Sequence, residues 1–358
     1  MLMINGAYGE GGGQILRTAL TLATLLTQPI CIENIRANRA NPGLAAQHLT
    51  AVKAAAMICE ARLSGDKLGS TRLSFEPQSR PIAGIYEFDV AEARPGGSAG
   101  AATLVLQTVL LPLALAGQSS IVTVQGGTHV PWSPPFHYLR DVYLPILAQL
   151  GVTTSAELRA WGWFPAGAGE IQITIGGADA RPDRPARPLA GIGPERGALK
   201  HISGVAVASS LPAHIAQRMR DRAVNLLKQA GLPAGIEPQR VSSVSPGAGI
   251  FLAAGYEAGL AGFSALGKKG KPADQVAAEA VDDLLAFHRC GAGVDRHLAD
   301  QVILPLALTD FSGPLHVEAL TQHTLTNIWV VEQFLGKIIT VDHDHNLIFF
   351  APRDRAWL

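Results

Sequence analysis

A glycine-rich run, Gly9-Glu10-Gly11-Gly12-Gly13-Gln14-Ile15-Leu16-Arg17, puts an acid, an amide and a guanidinium where the chain turns into an apolar helix. The glycines allow a sharp turn and leave room for a ligand at the helix N-terminus. With a helix starting near Gly11, Glu10, Gln14 and Arg17 follow one another at offsets of four and three and share one side. That set suits a metal–phosphate site, Glu10 holding a divalent ion and Arg17 a phosphate oxygen. It equally describes a Gly-rich turn with a surface acid, and it matches neither the Walker loop nor the dinucleotide fingerprint. Arg36 and Arg39, in the loop Arg36-Ala37-Asn38-Arg39-Ala40-Asn41-Pro42-Gly43, read as an anion clamp or as ordinary solvated arginines.

A third group is Thr321-Gln322-His323-Thr324-Leu325-Thr326-Asn327, leading into an apolar helix that Thr324 or Thr326 can cap. A histidine just ahead of a helix lies in a positive field that attracts phosphates and disfavours imidazolium. A neutral imidazole is a competent nucleophile toward phosphorus. The alternative is a loop or capping histidine. Asp342-His343-Asp344-His345 has the composition of a metal cluster, but strand alternation puts the histidines on one face and the aspartates on the other, as in a polar hairpin turn. His297-Leu298-Ala299-Asp300-Gln301 opens another apolar helix, where Asp300 also fits ordinary dipole pairing.

The elements that must hold these groups follow from periodicity. Helix-period patterns occur at about 12–27, 43–60, 98–117, 136–150, 212–231, 273–290, 296–307 and 324–335. Between them lie alternating or β-branched stretches, the last of which, 337–352, predicts a hairpin turning at Asp344-His345-Asn346. Strands and helices interleave throughout, as in an α/β or α+β protein. A weak repeat recurs three times: a loop, an apolar helix with an early glutamine (Gln14, Gln107, Gln301), a strand, a polar loop and a second helix. The segment 178–200, rich in Pro, Gly and Arg, reads as a linker, and the pattern after it as a smaller unit ending near Gly291.

Composition narrows the function. In 358 residues, 47% are apolar and 16% charged, which describes a well-buried globule rather than a disordered chain. The balance of 29 basic and 29 acidic residues argues against coating long nucleic acid, yet permits recognition of an end by a local cluster. Cys31, Cys59 and Cys290 are scattered and odd in number, as for buried thiols in a reducing cytoplasm. No secretory signal is evident at the N-terminus. The longest apolar run, 101–117, is slightly short for a membrane span and reads as a buried helix.

Taken in order, these segments resemble the RNA 3′-terminal phosphate cyclase family. The resemblance rests on GEGGGQILR (9–17), IRANRANPGLAAQHLTAVKAA (35–55), GGSAGAATLVLQTVLLP (96–112), GGTHVPWSPP (126–135), GWFPAGAGE (162–170), HLADQVILPLAL (297–308) and HTLTNIWVVEQFL (323–335), nearly the whole chain. It implies an α+β sandwich: a large domain of three repeats (1–186 plus 292–358), each with two helices on a four-stranded sheet, and a smaller inserted α/β domain (187–291). It implies ATP-dependent conversion of RNA 3′-phosphate ends to 2′,3′-cyclic phosphates, with His323 as the nucleophile that takes AMP. Nucleotide contacts are implied for Gln107, Pro131, His297, Leu298, Ala299, Asp300 and Gln301, and a divalent metal (Mg or Mn) for Glu10. Arg17, Arg36 and Arg39 are the candidates for gripping terminal phosphates. The expected partners are ATP and RNA 3′-phosphate ends, without a membrane, in the cytoplasm. A second reading is a catalytically inert cyclase-like ribosome-biogenesis factor. The chain departs from the family at Ala168, where a glycine is usual, which matters if that residue needs positive φ. It departs again at His297, where a tyrosine is frequent.

Overall fold

The computed structural model describes residues 1–94, 96–176 and 195–351. The expected domain boundary at 186/187 and most of the 178–200 linker lie outside these. The protein is an α+β sandwich in which a strand–helix–strand–helix–strand–strand unit recurs. The first unit contains β1 (Leu2–Asn5), α1 (Gly13–Leu26), β2 (Ile30–Glu33), α2 (Ala46–Ile58), β3 (Arg62–Ser64) and β4 (Leu73–Glu76), in sheet order β1-β2-β4-β3. The second contains β5 (Ile85–Asp89), α3 (Ala102–Ala114), β6 (Ser120–Gly126), a helix α4, β7 (Thr154–Ala160) and β8 (Gly169–Ile175), in order β5-β6-β8-β7. α4 runs from Phe136–Tyr138 through a π-type turn, Leu139–Tyr143, into Leu144–Gln149. In both sheets the first two strands pair in parallel and the remaining pairs are antiparallel.

A different order follows: β9 (Leu199–Ser209), α5 (His214–Gln229), β10 (Gly235–Val241), β11 (Gly247–Tyr256), β12 (Leu260–Leu266) and α6 (Ala273–Cys290), with sheet order β10-β9-β11-β12. These elements bury their own apolar cluster, including Met219, Leu227, Phe263, Leu284 and Phe287. Arg196 pins its edge: the buried guanidinium donates to the carbonyls of Phe287, His288 and Ala292 and lies over the Tyr256 and Phe287 rings. The third unit then completes the pattern with α7 (Arg296–Ala307), β13 (Pro314–His316), α8 (Gln322–Leu335), β14 (Ile339–Asp342) and β15 (Leu347–Phe350), ordered β13-β15-β14. Its first strand is reduced to one parallel bridge, Val294 to Val317.

The eight helix-period patterns correspond to α1–α8. α3, the apolar run, buries every residue but Gln107, and among the described residues no helix is long and apolar enough to cross a membrane. Pro112 inside α3 removes the N–H that would bond the Thr108 carbonyl. Thr21 of α1 replaces it, its hydroxyl donating to that oxygen at 2.9 Å. The sequence that interrupts one helix thus fastens it to another. α1 packs on α3 and α8, α2 on α3, and α7 on α8, so the repeats meet through their helices. The expected hairpin forms, with Asn346 at φ 54°. Its side chains depart from strand alternation: His345 turns back to Asp342, Nδ1 to Oδ2 at 2.9 Å, because the turn brings residues i and i+3 together.

Candidate active site

The glycine run does not enter its helix at Gly11. Gly9 and Gly11 have φ near +56°, and α1 starts only at Gly13, after Gly12 in extended conformation. Glu10 therefore projects from a tight loop rather than from the helix face. Side chains have no room there: a Cβ on Gly9 would lie 2.4 Å from Thr326 Oγ1, and one on Gly13 2.2 Å from His48 Nε2. The loop is thereby pressed against α8 and α2, a close approach that only glycine allows. Tyr8 reinforces it by stacking on Trp329 of α8, with ring centroids 4.0 Å apart.

His323 sits inside the first turn of α8, not ahead of it. Thr321 is the cap, its hydroxyl accepting from the Thr324 N–H at 3.1 Å, so neither Thr324 nor Thr326 serves as expected. The ring is held between two acids. Glu10 Oε2 lies 2.7 Å from Nε2, and Asp300 Oδ2 approaches Nδ1 at 3.4 Å. Asp300, then Glu10, raise the imidazole pKa above its usual value, outweighing burial and the opposing charge of Arg17. The direction is opposite to the one expected from the helix end: two carboxylates at contact distance outweigh its partial charge.

Positive charge is gathered beside this triad. Arg39 Nη2 lies 3.3 Å from Glu10 Oε2. The Cβ positions of Gly12 and Gly13 would lie 3.0 Å from Arg39 Nη2 and 3.1 Å from Arg17 Nη1, so both guanidiniums flank the N-terminus of α1. Burial lowers the Arg17 pKa to about 10 despite Asp300 nearby. His48, buried beside Arg17 and Arg36, is kept neutral, by burial first and then by their charges. Arg36, with φ +53°, turns its guanidinium back to the Gly43 carbonyl at 2.7 Å and shapes the loop.

The three repeat-related glutamines meet. Gln107 Nε2 donates to Gln301 Oε1 at 2.6 Å, and Gln301 Nε2 to the His297 carbonyl at 2.8 Å. With Gln14, Arg17, Asp300 and Asn327 they line a cavity of about 60 Å³. Gln14 Nε2 and Thr326 Oγ1 are buried with no partner among the described residues, which is unusual for polar atoms. Leu298 and Ala299 turn their side chains into the core, leaving only their backbone for a ligand. Pro131 is exposed on a separate turn. A larger cavity, about 550 Å³, lies between α4, β7 and the β9–β12 sheet and contains none of these residues.

Two positioning groups escaped the sequence reading. Asn327 Nδ2 donates to the Asp300 carbonyl at 3.0 Å and its Oδ1 accepts from Thr18 Oγ1 at 2.8 Å, tying α7, α8 and α1 together. Its spacing of four from His323, on one helix face, was the available signal. Asp295 caps α7 through the His297 and Leu298 N–H groups while also accepting from Tyr138 and from the Gly262 N–H. It thus orients the helix that carries Asp300.

The model of the family described as RNA 3′-terminal phosphate cyclase matches residues 8–341. A protein of that description from Gloeothece citriformis is 49% identical over 353 residues, 98% of this chain and 99% of its own. One from Methylococcus capsulatus is 53% identical over 336 residues, 93% of this chain and 91% of its own. An archaeal one from Pyrococcus furiosus is 39% identical over 341 residues, 95% of each.

Proposed function

The chain belongs to the RNA 3′-terminal phosphate cyclase family, and from that premise we propose that it acts through a covalent histidine–AMP intermediate on His323, with ATP as co-substrate. The observation that carries this reading is the convergence of Glu10 and Asp300 on the two nitrogens of one imidazole, beside the arginine-flanked N-terminus of α1.

Asp300 beside Nδ1 favours a proton on that nitrogen, and once Nε2 has given up any proton it shares with the Glu10 carboxylate, its lone pair is available for attack. In the first step Nε2 bonds to the α-phosphorus of ATP, and the α–β bridging bond breaks with its electrons going to pyrophosphate. Next an oxygen of the RNA 3′-phosphate takes the adenylyl group, and the N–P electrons return to the ring. Finally the 2′-hydroxyl loses its proton, bonds to the 3′-phosphorus and expels AMP, leaving the cyclic phosphate. This closure is intramolecular, so little entropy opposes it.

Arg17 and Arg39, with the backbone N–H groups of the α1 N-terminus, suit phosphate oxygens. Gln107 and Gln301, the latter bonded to the His297 carbonyl, offer a neighbouring polar wall suited to the nucleoside, with the exposed His297 close by. Glu10, a single carboxylate beside Arg39 and His323, suits a divalent ion, since magnesium commonly takes one carboxylate and completes its shell with phosphates and water. When bound there it would supply charge neutralisation on the phosphates. We also read residues 187–291 as an inserted domain, supported by their separate core, and the cytoplasm as the location.

The test is mass spectrometry after incubation with ATP and magnesium, with α-labelled ATP in parallel. We expect an acid-labile, alkali-stable AMP adduct on the peptide containing His323, absent in His323→Ala. An adduct elsewhere, or an acid-stable lysine adduct, overturns the reading.

A further inference from the structure

The turn that follows β6 carries a large apolar side chain with no use inside the protein. Trp132 is 98% exposed, in a left-handed backbone conformation at φ +65°. An indole in water buries nothing, and a bulky residue at positive φ is strained, so folding alone gives no reason for this residue. The turn beneath it is firmly built. Val130 is buried against Ala101 and Leu104, Ser133 donates to the Val130 carbonyl, and Thr103 of α3 donates to the Pro134 carbonyl. Upstream, the Thr128 and His129 N–H groups both donate to the Gly162 carbonyl. Two residues beyond Gly162, Phe164 is also exposed, at 69%.

This turn is tied by packed contacts to the Arg36–Arg39 loop, whose Arg39 is the phosphate ligand proposed above. Arg36 bonds to Gly43, which leads into α2. Gln47, in the first turn of α2, accepts from the Ala101 N–H at 2.8 Å. Ala101 bridges to Gly127 and packs on Val130. A chain of contacts through α2 and Ala101 thus connects the Arg36–Arg39 loop to the turn that carries Trp132.

An RNA whose 3′-phosphate is held by the arginines must lead its preceding nucleotides away over neighbouring surface. We propose that Trp132 is a stacking platform for a base near the 3′ end of the RNA substrate, with Phe164 as a second apolar contact on the same surface. Stacking on an exposed ring does not depend on base identity, which fits an enzyme that recognises an end rather than a sequence. The proposal rests on the site reading above only in placing the phosphate end at the arginines.

The experiment uses the full chain and a 3′-phosphorylated oligoribonucleotide with a 5′ fluorophore, its binding followed by anisotropy without ATP. Trp132→Ala is expected to weaken binding about five- to a hundred-fold, and Trp132→Tyr by about threefold or less. The ATP-only adenylation step is measured on the same proteins and is expected to keep its rate. Replacing the bases one at a time by abasic ribose is expected to find one position at which the native protein loses affinity and Trp132→Ala loses no more. Unchanged RNA binding by Trp132→Ala overturns the proposal. So does a parallel fall in adenylation, which would put the indole against the ATP base beside Pro131. If no His323 adduct forms at all, the site reading fails while the binding measurement still decides the role of Trp132.

Discussion

Replacing Ala168 by glycine is expected to stabilise the protein. Ala168 has φ +52° between Gly167 and Gly169. The left-handed conformation costs an L-residue with a Cβ about 1–2 kcal/mol. The alanine is exposed, so removing its methyl sacrifices almost no burial. Against the relief stands the greater freedom of glycine in the unfolded chain, about 0.4–1 kcal/mol. The net gain is about 0.5–1 kcal/mol. Trp161 and Trp163 precede the loop and report on its unfolding by fluorescence in urea. With a denaturant slope near 3 kcal/mol per molar, the midpoint should rise by about 0.2–0.3 M. Ala166→Gly is the control: Ala166 lies in the same loop, is also exposed and is not among the residues at positive φ, so its midpoint should fall. An unchanged or lower midpoint for Ala168→Gly, at equal slope, refutes the strain argument.

Two further outcomes follow from buried polar groups. His137 is buried and its pKa is pushed down to about 4, by burial and then by Arg140, while the unfolded chain titrates near 6.5. Its contribution is therefore fully present above about pH 6.5 and is lost as the pH falls from there toward 4, by up to about 3 kcal/mol; His129, shifted the same way, adds to the loss. Urea midpoints measured across that range check this, and a flat profile speaks against it. Asn327→Ala leaves the Thr18 hydroxyl and the Asp300 carbonyl without their partner, so stability should drop by about 1–2 kcal/mol. Adenylation should slow about tenfold or more as Asp300 shifts against His323, read by single-turnover labelling; a native rate would remove Asn327 from the positioning role.

Much of the architecture was legible because periodicity and packing agree. All eight helices appear where apolar spacing put them, since their buried faces are long and regular. Local ends were less legible: α1 begins two residues late because Gly11 takes a positive φ in the tight turn closed by its N–H on the Tyr8 carbonyl, where a side chain would meet Asn38. The direction of the His323 shift was not legible for a similar reason. The helix end is visible in sequence, but Glu10 and Asp300 reach the ring only through tertiary packing. The site residues were found as separate loops, and their convergence depends on contacts such as Thr18 to Asn327, 309 positions apart.

That separation has a consequence for biosynthesis. The ribosome makes the glycine loop among the first residues and the histidine helix among the last, and domains fold in order of emergence. The loop must wait for its contacts with Thr326, Trp329 and His323 until α8 docks. A chain that ends before α8 lacks His323 altogether, so on the reading proposed above nucleotide transfer to that ring waits until synthesis has passed the final repeat.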